Sequence, residues 1–61
     1  MKNKYQNLHI FWQDYLFRDI EQIKIRNIIF KDKMIIINYI DNDNEDKRLL
    51  LNKRNYSIKI D

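Results

Sequence analysis

Sixty-one residues without a cysteine bound a single domain over 1–61, with neither a disulfide framework nor a thiolate metal site. Apolar residues make up 44%, too many for a disordered chain, yet the longest uninterrupted apolar run, residues 34–37, is far too short to span a bilayer. A net charge of +3 and a pI near 9.3 are no more than solubility asks for, and they fall short of the clustered excess of most nucleic-acid binders.

The chain lacks Gly, Pro, Ala, Val and Thr, while Ile occurs twelve times and Asn and Lys eight times each. All three abundant residues have codons rich in A and T, which points to an AT-rich bacterium or to a phage or plasmid living in one. Residues 1–6 are polar apart from Met1 and Tyr5 and are expected to fray. Lys2 and Lys4 are not followed by an apolar stretch ending in small residues, so no signal peptide is read and a cytoplasmic location is expected.

Asn7 can cap a helix, and the apolar positions after it are 8, 11, 12, 15, 16, 20 and 23. That spacing is the stripe of an amphipathic helix, with Asp14 and Arg18 four apart in the favourable order for an ion pair. Ile10 and Phe17 fall off the stripe, and the abundance of Ile, Phe, Trp and Tyr favours strands. The rival reading makes Leu8 to Trp12 one strand and Phe17 to Ile25 the next, at the cost of exposing Tyr15 and Leu16.

The fold centres on residues 23–40, two β-branched segments separated by Lys31-Asp32-Lys33, which read as a hairpin. Without Gly at the tip, Asp32 or Lys33 is expected to take a positive φ, Asp32 being the better suited. The return segment carries Met34, Ile36 and Ile40 on one face and Ile35, Ile37 and Tyr39 on the other, the mark of an interior strand. Residues 41–46 form an Asn- and Asp-rich loop, 48–52 a strand, 53–55 a turn, and Tyr56, Ile58 and Ile60 the inward side of an edge strand. The expected fold class is therefore α+β: one N-terminal helix packed on a four-stranded antiparallel meander. The alternative is an all-β small five-stranded barrel.

Candidate chemistry is sparse. Asp41, Asp43 and Glu45 have the spacing of a calcium loop, but Asp46 and Asn52 stand where that loop needs Gly and Glu, so a solvated hairpin end is the better reading and no metal site is expected. His9 has no second His or Cys to work with, and Ser57, the one Ser or Thr, lies in no nucleophile elbow. Asp14 and Asp19 lie five apart, on different helix faces, and no Gly exists to cradle a phosphate. The sequence thus predicts no enzyme, no cofactor and no small-molecule substrate.

What remains is surplus apolar sheet. One helix covers one face, which leaves the other to a protein partner or to self-association. The expected function is that of a small non-enzymatic interaction protein, from a phage or mobile element, that binds and inhibits or modulates a host protein. Phe11, Trp12, Tyr15, Ile35, Ile37 and Tyr39 are its candidate interface residues. The alternative is a small nucleic-acid-binding module using Lys47, Arg48, Lys53 and Arg54 around the third strand, with Phe11, Trp12 and Tyr56 as stacking surfaces.

Overall fold

The structure, a computed structural model, describes residues 5–61. Every regular element among them is a strand: β1 (Gln6–Trp12), β2 (Tyr15–Phe30), β3 (Met34–Ile40), β4 (Asp46–Asn52) and β5 (Tyr56–Ile60). They form one antiparallel sheet in the order β4-β3-β2-β1-β5. The expected N-terminal helix is absent, and the four-stranded meander gives way to five strands in which β5 leaves β4 and pairs with β1. The all-β alternative is the closer one, although the sheet is open, with β4 and β5 as its edges. Residues 1–4 of the segment expected to fray lie outside the described residues, and Gln6 opens β1.

The helical stripe was produced by bulges. Ile10 pairs with Arg18 and Phe11 with Leu16, so Phe17 is an extra residue in β2. Gln6 pairs with Ile23 and Leu8 with Ile20, so Glu21 and Gln22 together oppose Asn7. Ile25 pairs with Tyr39 and Asn27 with Asn38, which leaves Arg26 extra. Each extra residue flips the parity of the strand beyond it. The core-facing residues of β2 are Ile20, Ile23, Ile25 and Ile28, in steps of three, two and three, and such steps imitate a 3.6-residue period. Ile10, which fell off the stripe, is fully buried.

The two ends of the first hairpin show what the sequence had to accept. Gln13 and Asp14 connect β1 to β2 with φ of 48° and 74°, the two-residue reversal that matches strand twist but suits Asn-Gly far better. Gln22, at φ 57°, makes the central bulge, and its N–H donates to the Asn7 side-chain oxygen at 3.1 Å. The tip at 31–33 takes no positive φ, so the strain expected at Asp32 or Lys33 is not there.

One face of the sheet is the core. Leu8, Ile10, Ile23, Ile35, Ile37, Tyr39 and Leu51 are buried, with Ile20, Ile25, Ile28, Leu49, Tyr56 and Ile58 packed against them. Fully burying one such side chain contributes about 1.5–3 kcal/mol. Curling does the work expected of a helix: β2 bends at its bulges, its first half pairing with β1 and its second with β3. Ile35, Ile37 and Tyr39, expected as an interface, are therefore interior. Their surface role is corrected by that burial.

Curling also brings β2's two ends together. The 53–55 turn joins the edge strands β4 and β5 in three residues. The Lys53 N–H donates to the Lys33 carbonyl at 3.0 Å, and the Gln13 N–H donates to the Asn55 carbonyl at 2.9 Å. The turns at 13–14, 31–33 and 53–55 thus meet at one end of the molecule. The opposite end holds the central bulge of β2, the 41–45 loop and the Asn7–Asp61 backbone pair.

Candidate binding surface

Core stripes run out of cover at the three-turn end. Trp12 pairs across the sheet with Tyr15 on one side and Tyr56 on the other, so the three rings share a face. That face is the one that buries Leu8 and Ile10 further along β1. Phe17, pushed out by its bulge, meets Tyr56 edge to face with ring centroids 5.5 Å apart. Tyr15 is 73% exposed, Phe17 58% and Trp12 42%. At the other end of β2, Phe30 is 60% exposed although its cross-strand partner Ile35 is buried. Ten large hydrophobic residues are exposed among the described residues, and all but Tyr5 and Ile60 lie within three residues of one of these turns.

The same end carries four of the eight cations among the described residues that no carboxylate claims; Arg18, Lys24, Arg48 and Lys59 are the others. A cleft of about 480 Å³ between the 31–33 tip and the 53–55 turn is lined by Asp32, Lys33, Asn52, Lys53 and Arg54. The Arg54 N–H donates to the Asn52 side-chain oxygen at 2.9 Å, which fixes the turn. Among the described residues, Lys31, Lys33, Lys53 and Arg54 take part in no ion pair. Asp14 and Asp32 are the acids of this end, so its formal charge is four cations less two acids, or +2.

The four basic residues singled out in the sequence are split by the fold. Lys53 and Arg54 belong to the cleft between the tip and the turn. Lys47 lies 3.7 Å from Asp41 and 3.5 Å from Glu45, and so is neutralised by the loop beside it. Arg48 donates through Nε to the Asn38 side-chain oxygen at 3.0 Å, and Asn38 donates to Asn27 at 2.7 Å. Arg26 meets Asp46 at 2.8 Å, closing a polar ladder across β2, β3 and β4 around a second cleft of about 410 Å³. Of the expected interface residues, Trp12 and Tyr15 are exposed and adjacent, whereas Phe11 is half-buried on the outer face beside Leu16 and Ser57. Phe17 and Phe30 were missed. The signal for Phe17 was its failure to fit the helical stripe.

His9 lies on the outer face of β1, its Nδ1 2.6 Å from Asp19 and its Nε2 3.0 Å from Asp61. Two carboxylates on opposite ring nitrogens both call for an N–H, which only the doubly protonated ring supplies. The hydrogen bond to Asp19, then that to Asp61, raises the imidazole above its ordinary pKa. Because the carboxylates flank the ring instead of converging on a point, they offer no common position for a cation. Among the described residues no group of three or more His, Cys, Asp or Glu is placed to hold a metal ion. The 41–45 loop is tied up internally: Asp41's carboxylate accepts the N–H groups of Asp43 and Glu45 at 2.9 and 3.0 Å.

Compared with protein-family models, with curated proteins and with solved structures, the chain matches none of them. No helix among the described residues is long and apolar enough to cross a membrane.

Proposed function

We propose that this protein is a non-enzymatic binding module whose working surface is the three-turn end, and that its partner is a macromolecule carrying negative charge. The observation that carries this reading is the coincidence at one end of the exposed rings of Trp12, Tyr15, Phe17 and Phe30 with four cations outside any ion pair. Exposed apolar clusters of this kind mark interaction surfaces, and cations left without carboxylates complement an acidic partner. At the other end Asp41 and Glu45 lie beside Lys47, Asp46 meets Arg26, and Tyr5 lies beneath the Lys24 ammonium at 5.4 Å.

The test is a comparison of capture from a bacterial lysate. Immobilised wild type is set against Tyr15→Ser/Phe17→Ser, against Lys53→Glu/Arg54→Glu, and against Asp43→Lys/Glu45→Lys at the far end, each first shown to fold by circular dichroism. Loss with the first two and retention with the third is expected. The reverse pattern sinks the reading.

A second reading, a protein partner or a second copy of the chain, is favoured by the outer face. There Ile29, Ile36 and Leu50 stand directly across β2, β3 and β4 from one another, with Met34 beside them. Ile29 and Leu50 are 41% and 55% exposed, and aliphatic side chains on a sheet face offer packing and no stacking. An interaction protein that blocks a host factor would use such a row. Sedimentation of the wild type and of Ile29→Lys/Leu50→Lys separates the self-associating form from a monomer.

A further inference from the structure

We propose that the three-turn end binds single-stranded nucleic acid, with bases stacking on the aromatic row and phosphates seated in the basic cleft. The proposal rests on the reading of this end as a binding surface and names its partner.

Tyr15, Trp12 and Tyr56 form a continuous cross-strand row, extended by Phe17, on the side of the sheet that elsewhere is core. Aromatic faces left open beside cations are what unpaired bases need, because every base offers a π-face whatever its identity. In duplex nucleic acid those faces are already stacked, so the row discriminates against it. Trp12 is followed by Gln13, whose N–H is bound to the Asn55 carbonyl, and Arg54 and Lys53 are the next two residues back along the chain. The row and the cleft are thus joined by one hydrogen bond and the 53–55 turn. Lys53's backbone is in turn tied to Lys33, which adds the 31–33 tip to the same end. The cleft lined by Lys33, Lys53 and Arg54 is thus the nearest cluster of cations along the chain from the row.

The acids set the strength. Asp32 lines the cleft and Asp14 sits at the neighbouring tip, so the end is only +2 and long-range attraction is modest. Three or four phosphate contacts give a salt slope of about −2 to −3, which is about a 20- to 50-fold weakening between about 50 and about 200 mM salt.

The experiment is fluorescence anisotropy on the full chain, with labelled oligo(dT) and oligo(U) of about 12 nucleotides and a mixed-sequence duplex of the same length, at those two salt concentrations. Trp12 emission is followed in parallel. Binding to the single strands, stronger than to the duplex and weakened by salt within that range, with Trp12 quenched, is expected. Tyr15→Ala, at the most exposed ring, is expected to weaken binding about 10-fold, as is Lys53→Glu, while Lys47→Glu at the far end changes it less than about 2-fold. Absence of binding at about 100 μM protein in low salt overturns the proposal. So does equal binding to duplex, or indifference to both Tyr15→Ala and Lys53→Glu. If the turn-end variants lose a protein captured by the wild type while no oligonucleotide binds, this inference fails and the binding reading stands; if neither is seen, both fall.

Discussion

At the scale of single residues, His9 shows how one side chain links three strands. Asp19 stands opposite it on β2, Lys59 opposite it on β5, and Asp61 comes directly after β5. The pKa of His9 is raised in the folded state, so the stability it confers is full below its unfolded value and is lost as pH rises through the folded one. The thermal midpoint is therefore expected to be higher near pH 6 than near pH 9. His9→Gln should flatten that difference, and an unchanged difference in the variant would show that the titrating group lies elsewhere. A second residue-scale expectation concerns the core. Ile37 is fully buried in the middle of β3, and Ile37→Ala should cost about 3 kcal/mol. A chain of this length holds only about 3–9 kcal/mol in all, so chemical denaturation should find the variant stripped of about a third or more of its stability. Ile29→Ala, on the outer face, should cost under about 1 kcal/mol by the same measurement.

At the scale of elements, β2 explains both what the sequence revealed and what it concealed. The hairpin of β2 and β3 was legible because Ile23, Lys24, Ile25 and Arg26 alternate and Lys31-Asp32-Lys33 interrupts two β-branched runs. The interior position of β3 was legible from its two apolar faces, and the 41–46 loop from its Asp and Asn side-chain turns. The first half of β2 was not. Its bulges at Phe17 and at Glu21–Gln22 break the period of two, and no Gly marks them. Residues of strand propensity, with Tyr15 and Leu16 exposed, were the better guide, and the structure accepts that exposure. The pairing of β5 with β1 was hidden because it depends on the sheet curling, which no local pattern records.

The hairpin tip makes this testable. Gln13 and Asp14 both hold positive φ, where a β-carbon costs about 1–2 kcal/mol. Gln13→Asn/Asp14→Gly should stabilise the chain by about 1 kcal/mol in urea unfolding, since Asn-Gly is the pair that such a turn favours. Destabilisation by the same change would mean that the tip does not adopt this reversal.

At the scale of the whole molecule, the fold sorts its surface. Bending β2 until its ends meet hides one apolar face without a helix, but it leaves Trp12, Tyr15, Phe17 and Phe30 beyond the reach of the core. The turn that joins the edge strands adds Lys53 and Arg54 to Lys31 and Lys33. Acid-rich residues 41–46 are kept at the far end, where they neutralise Lys47 and Arg26. The candidate site was only half legible in the sequence, because the cations at 31–33 and those at 53–54 become neighbours only through the Lys33–Lys53 hydrogen bond.

Amide chemical-shift mapping of isotopically labelled protein, titrated with the same oligo(dT), tests the placement of function most directly. Perturbations are expected at residues 12–17, 30–34 and 53–56, with 41–46 and the bulge at 21–22 undisturbed. Perturbations centred instead on Arg26, Asn38, Lys47 and Arg48, or none at saturating oligonucleotide, would contradict it.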